Sequence, residues 1–353
     1  MIDFRSDTVT KPSAAMKEAM FAAEVGDDVF GEDPSIIALE TYAAELFGKE
    51  AGLFCSSGTQ TNQIAINVHV QPGGEVICHE ESHIYKYEGG GIAKNSGASV
   101  RLLKGDRGRI DAQMIEQWIN PPLDVHFPLT QLVSIEDTAN RGGGAVYDFK
   151  QILEIKALCD KLGFPLHLDG ARVCNALAVN QVNPEEYGAA FDSISICLSK
   201  GLGAPVGSVL VGTREFIHKA RRVRKVMGGG MRQAGIIAAG GLYALTHNRE
   251  RLVEDHRHAK QLEETFLKQN WVDSVLGVET NIVVVHLKNP AKRDEILAQF
   301  VSFGILAMAF GPGMLRFVTH LDVSTNDIDF TCEKVGDVVI SEQSESESES
   351  GKN

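Results

Sequence analysis

An α/β fold with a mostly parallel sheet is what this sequence predicts, and three observations carry the prediction. Short apolar runs at 51–55, 75–78, 99–103, 131–135, 165–168, 193–198 and 207–211 alternate with segments of helical period. Strands that alternate with helices pair in parallel and are covered on both faces. The run 164–172, F-P-L-H-L-D-G-A-R, ends in an acid and a glycine, the profile of a buried strand whose carboxyl end opens into a ligand crevice. Beyond residue 249 the pattern changes: a charged amphipathic helix at 249–269 precedes strand-like runs at 280–287 and 304–318, separated by a helix around 294–303. That suits a small α+β unit.

The helices are legible from spacing. In 35–47, Ile36, Leu39, Tyr42, Ala43, Leu46 and Phe47 recur at intervals of three and four, one face of a helix. Residues 234–245 are small and apolar. The expected organisation is an arm at 1–13, a large domain at 14–248, a small C-terminal domain at 249–340 and an acidic tail at 341–353. The tail, rich in Ser-Glu repeats, is expected to be disordered.

With 353 residues, 43% hydrophobic and 23% charged, the chain can bury a full core. A net charge of −13 argues against nucleic acid or an anionic membrane as a main partner. One local exception is the basic run 219–225. The first residues carry no charged-then-apolar leader and no run approaches a membrane span, so a cytoplasmic location is expected. The six cysteines contain no C-x-x-C pair, which suggests neither a disulfide framework nor a zinc ribbon.

Lys200, in L-S-K-G-L-G at 198–203, lies between an apolar strand and a glycine loop. A lysine held half-desolvated there has a nucleophilic amine, as Schiff-base chemistry requires. Upstream, Leu53-Phe54-Cys55 followed by Ser56-Ser57-Gly58-Thr59 reads as a strand, a small-residue turn and a helix start. Such a turn offers amides to an anion, although Ser or Thr there also serves as a plain N-cap. Asp169 at a strand end needs a cation or strong donors if it stays ionised, and a protonated pyridine nitrogen would serve. Phosphate anchor, acid and lysine occur in the order that suits pyridoxal phosphate.

Residues 1 to about 330 resemble the low-specificity and L-allo-threonine aldolases, pyridoxal-phosphate enzymes of fold type I. The segments that carry the resemblance are F-R-S-D-T-V-T (4–10), G-D-D-V-F-G-E-D-P (26–34), S-S-G-T-Q-T-N (56–62), H-L-D-G-A-R (167–172), C-L-S-K-G-L-G-A-P-V-G (197–207), G-G-G-M-R-Q (228–233) and R-F-V-T-H-L-D-V (316–323). The resemblance implies that Lys200 holds the cofactor, Asp169 faces its pyridine nitrogen, His83 stacks over its ring, and Ser57, Gly58 and Thr59 bind its phosphate. It further implies that Lys225 and Arg232 reach the same phosphate from a neighbouring subunit of a homotetramer. Ser6, Arg172 and Arg316 would hold the substrate carboxylate, a task suited to forked guanidinium groups. His126, in D-V-H-F-P, matches a second active-site histidine of the family. The implied reaction is retro-aldol cleavage of threonine or allo-threonine to glycine and acetaldehyde, with His83 or His126 as the base.

The segment E-D-T-A-N at 136–140 departs from the usual E-N-T-H-N, placing Asp137 and Ala139 where the family has asparagine and histidine; the aspartate adds a carboxylate near the expected site. Two other readings compete. H-E-E-S-H at 79–83 matches the pattern of zinc peptidases, but it follows a strand, where residues i and i+4 do not share a helical face. No metal is therefore expected. β-Elimination from serine- or cysteine-like substrates would use the same cofactor and fold.

Overall fold

A computed structural model describes residues 1–340. Its strands are β1 (Ile2–Asp3), β2 (Ala51–Cys55), β3 (Glu75–His79), β4 (Ser99–Leu103), β5 (Thr130–Glu136), β6 (Leu166–Gly170), β7 (Ser193–Cys197), β8 (Ser208–Gly212), β9 (Val272–Leu276), β10 (Ile282–Leu287), β11 (Ile305–Leu306), β12 (Met308–Gly311) and β13 (Met314–Val318). A seven-stranded sheet runs β2-β8-β7-β6-β5-β3-β4. All its neighbouring strands pair in parallel except β8, which is antiparallel to both β2 and β7. The α/β fold with a mainly parallel sheet is thus as the apolar runs predict, each run lying within about two residues of a strand.

Helices cover both faces of this sheet, and its central strands are buried along their length, with apolar side chains toward the main core and several polar ones, Ser193, Ser195, His167 and Asp169 among them, on the other face. The core joins Val133, Leu166, Leu168, Ile194, Ile196, Val209 and Val211 to Leu39, Ile152 and Ala244 from the flanking helices. One helix, Gly58–His69, is capped by Ser57, whose hydroxyl accepts from the Gln60 amide. It lies across the sheet face, with Thr61 Oγ1 2.6 Å from Ser195 Oγ and Asn62 bonded to Asp169. β8 runs backwards, so its first residue, Ser208, pairs with Cys55 and Cys197, the last residues of β2 and β7.

A four-stranded antiparallel sheet, β12-β13-β10-β9, forms a second core with Phe266, Phe300 and Phe317. Two of its neighbours were not visible in the pattern. β9 is an edge strand with Asp273 and Ser274 exposed, so it lacks a clear apolar alternation. The helix Thr325–Gly336 is mostly polar and shows itself by a capping box between Ser324 and Asp327. The N-terminal arm joins this unit: β1 pairs in parallel with β11, and Phe4 enters the second core. No described helix is long and apolar enough to cross a membrane. The Ser-Glu tail expected to be disordered lies outside the described residues.

Candidate active site

The carboxyl edge of the large sheet meets the small sheet in a cleft of about 450 Å³, lined among others by Ser6, His83, Glu136, Arg172, Lys200 and Arg316. Six residues from distant parts of the chain thus converge as strand ends and loops deliver them. Lys200 follows β7, and its carbonyl accepts from Thr10 Oγ1 at 2.9 Å. Ser6 caps the short turn Asp7–Val9.

Asp169 is buried at the end of β6. Its Oδ2 accepts from Asn62 Nδ2 at 2.9 Å and its Oδ1 from the Ala171 amide at 3.2 Å. The same Asn62 amine donates to Glu88 Oε1, and the Asn62 carbonyl oxygen lies 3.1 Å from His167 Nε2. Glu88 also accepts from Gln63 and stands 2.9 Å from His83 Nδ1. Burial opposes the charged imidazole of His83, but the Glu88 hydrogen bond, with Asp169 and Glu136 nearby, outweighs it and raises its pKa. His83, Glu88 and Asp169 place ligand-type atoms within 4.8 Å of one another, yet the Asn62 amine and the His83–Glu88 bond already tie the three together.

Glu136 ends β5 beside Asp169, with which it is in register. Its two oxygens accept from the amides of His83 (2.8 Å) and Asn140 (2.9 Å). Burial first, and then the neighbouring Asp169, push its carboxyl up to about 7. Asn140 Oδ1 in turn accepts from Arg316 Nη1 at 3.2 Å, while Arg316 Nη2 donates to the Arg5 carbonyl at 2.9 Å. The Arg316 Nε is buried without a partner among the described residues. Burial, and then Arg172, lower the guanidinium to about 10. Arg172 faces the same cleft with Nε and Nη2 committed to Asp7.

Not every expected residue enters this cleft. His126 sits between the helix Ala112–Gln117 and β5 with its side chain 85% exposed, bonded to Asp124 at 2.7 Å. Arg232 pairs with Asp27 on the surface, and the Lys225 stem lies near Gly230; neither lines the cleft. Asp137, expected to add a carboxylate near the site, points to the opposite side of the strand end from Glu136. It is completely buried, accepts from Tyr187 Oη at 2.5 Å and from the Tyr147 amide, and does not line the cleft. Ala139 packs under Gly108 and Gly142. His79 ends β3, whereas His83 begins a separate turn of helix at His83–Lys86. The H-E-E-S-H segment is therefore a strand end and a turn, and the two histidines do not stand one helical turn apart.

The family profile described as beta-eliminating lyase matches residues 3–290. The chain belongs to the beta-eliminating lyase family. Within it, the chain is 41% identical over 335 residues to a probable low-specificity L-threonine aldolase 2 of Arabidopsis thaliana, covering 93% of this chain and 94% of that one. It is 42% identical to the low specificity L-threonine aldolase of Escherichia coli K12, covering 93% and 96%. The solved threonine aldolase of Leishmania major shares the fold, with a TM-score of 0.83 at 21% identity over 96% of this chain and 99% of that one. This lyase is a pyridoxal-phosphate enzyme of fold type I.

The residues present fit that cofactor. Among the described residues the amides of Gly58 and Thr59 donate to nothing, at a helix N-terminus that favours a phosphate. Asp169 is a buried carboxylate suited to a protonated ring nitrogen, His83 flanks it, and Lys200 supplies the amine. Sequence reasoning missed Asp7, Asn62, Glu88 and Glu136, whose roles arise mostly from contacts between distant segments.

Proposed function

We propose that this lyase cleaves L-threonine, L-allo-threonine and related β-hydroxy-α-amino acids to glycine and an aldehyde. The observation that carries the reading is the convergence of Lys200, His83 and Arg316 on one cleft. When bound, pyridoxal phosphate supplies an electron sink conjugated to the substrate amine. Lys200 would provide the amine that holds it, and Asp169 would face its protonated ring nitrogen. Arg316, with its unpartnered Nε, and Arg172 and Ser6 receive the carboxylate, which orients Cα–Cβ for cleavage. His83 takes the β-hydroxyl proton as the aldehyde departs, a role open equally to His126 from a neighbouring chain. The proton taken from the hydroxyl balances the one that Cα gains, leaving glycine.

Lys225 and Arg232 would serve the phosphate of a neighbouring subunit, and we place the chain in a homotetramer. Support comes from their position outside the cleft and from Leu123 and Val125, which flank His126 with their side chains almost fully exposed. Two separate hydrophobic clusters support the division into domains at 14–248 and 249–340. A cytoplasmic location is consistent with six unpaired cysteines.

Product analysis tests the reaction. Glycine plus acetaldehyde from threonine is expected; a keto acid plus ammonia would replace this reading with β-elimination, which the family description favours as the alternative. Lys200→Ala should remove both turnover and the absorbance near 420 nm, approximately that of the bound cofactor, with the fold intact by circular dichroism.

A further inference from the structure

Ser208 is fully buried at the start of β8, and its Oγ has no hydrogen-bond partner among the described residues. A buried hydroxyl left unpaired is penalised, so one in a folded protein calls for an explanation, and a ligand the chain itself does not supply is one. Its surroundings identify where that partner would lie. A Cβ placed on Gly58 would stand 3.5 Å from the Ser208 Oγ, so the hydroxyl abuts the first turn of the helix Gly58–His69. The unused amides of Gly58 and Thr59 belong to that same turn. The two features are independent, since one belongs to a helix end and the other to a reversed strand.

The sheet register puts Ser208 on the cofactor side. Asp169 pairs with Ser195, and Cys197, two residues on, pairs with Ser208. Side chains two apart along a strand share a face, so Ser208 and Asp169 point the same way. The cross-strand neighbours of Ser208 are Cys55 and Cys197, whose sulfurs are weak acceptors. Cys197 lies close enough to feel the hydroxyl but without hydrogen-bond geometry. The backbone is pinned as well. Gly207 has φ +109°, and a Cβ there would meet the Phe54 ring at 2.5 Å, so the strand start cannot swing away.

We propose that Ser208 is a phosphate ligand of the cofactor, its hydroxyl donating from the sheet side while the Gly58 and Thr59 amides donate from the helix side. The assignment rests on the pyridoxal-phosphate reading above. Together with Ser57 and Thr59, it makes this chain's own share of the phosphate site electrically neutral. Positive charge is left to Lys225 and Arg232 of a neighbouring chain.

The test titrates the full-length protein, stripped of cofactor, with pyridoxal phosphate and separately with pyridoxal, which lacks the phosphate. Ser208→Ala should weaken pyridoxal phosphate about tenfold, the weight of one hydrogen bond to a charged acceptor, and leave pyridoxal unchanged. Ser208→Thr, which keeps the hydroxyl, should restore most of the affinity. The cofactor-free Ser208→Ala protein should melt at the wild-type temperature or above it, because an unpaired buried hydroxyl has been removed. Equal losses for both ligands, no loss for either, or a lower melting temperature without cofactor would overturn the assignment. A wild-type protein that takes up neither ligand would instead remove the pyridoxal-phosphate reading on which it rests.

Discussion

Arg172 grips Asp7 at two points in the cleft wall, Nε to Oδ2 and Nη2 to Oδ1, each at 2.7 Å. Both residues are buried, and Asn281 Nδ2 adds a third donor to the same carboxylate at 3.2 Å. One edge of the guanidinium is therefore fixed by the N-terminal arm, which orients the remaining Nη1 amine of a residue expected to meet substrate.

Removing Asp7 would strand that charge. Burial alone would raise the Asp7 carboxyl, but the Arg172 charge and hydrogen bonds outweigh it and bring the value down from 3.8 to about 2. Since the folded value is the lower one, the pair's stabilisation is present above about pH 4 and is lost as pH falls toward 2. Asp7→Ala is expected to destabilise the protein by about 3–5 kcal/mol, the range for breaking a buried pair. Urea unfolding would show it, and an unchanged midpoint would contradict it.

Glu136 has the opposite sign. Its carboxyl binds its proton more tightly folded, near 7, than the ordinary 4.5, so stability falls as pH rises through that window. In Glu136→Gln this part of the pH dependence should disappear between pH 5 and 7, as read from melting temperatures across the range. A wild-type slope retained in the variant would show that another group titrates there.

Arg316→Lys keeps the charge but removes the fork that joins Asn140, the Arg5 carbonyl and the open Nε. We expect kcat/KM for threonine to drop roughly 10–100-fold, the range for one or two hydrogen bonds to a charged group, with the cofactor absorbance unchanged. A simultaneous loss of that absorbance would assign Arg316 to the cofactor rather than to the substrate.

The proposed sharing of sites between subunits makes mixtures informative. Lys200→Ala and Arg232→Ala chains should each be impaired alone, yet refolded together they should regain roughly a quarter of the wild-type activity, because random pairing restores one intact site in each mixed dimer. No recovery would place Arg232 outside any neighbour's site.

Much of this could be read from the chain. The central strands carry enough apolar residues to stand out as short runs, and the chemistry of Lys200, Asp169 and Arg316 stands in short motifs at strand ends or within β13. The pairing of Asp7 with Arg172 could not be read, because residues 165 positions apart meet only through folding. Asp137 illustrates the complementary limit: one step along the strand end sends it to Tyr187 while Glu136 turns to the cleft, and only the structure shows which neighbour takes which side. His126, Lys225 and Arg232 are exposed on the single chain, so the roles proposed for them rest on a neighbouring subunit.

The placement of the arm also ties it to the far end of the described chain. Asp3 offers its carbonyl to His320, Phe4 its carbonyl to the Val318 amide, and Asp7 its carboxylate to Asn281. These pairs join residues 274 to 317 positions apart, so none can form until nearly the whole described chain has been made. The same arm supplies Arg172 with its counter-charge and the Lys200 carbonyl with the Thr10 hydroxyl. Contacts of such sequence separation form slowly, so the part of the cleft wall that the arm supplies is expected to form late in folding.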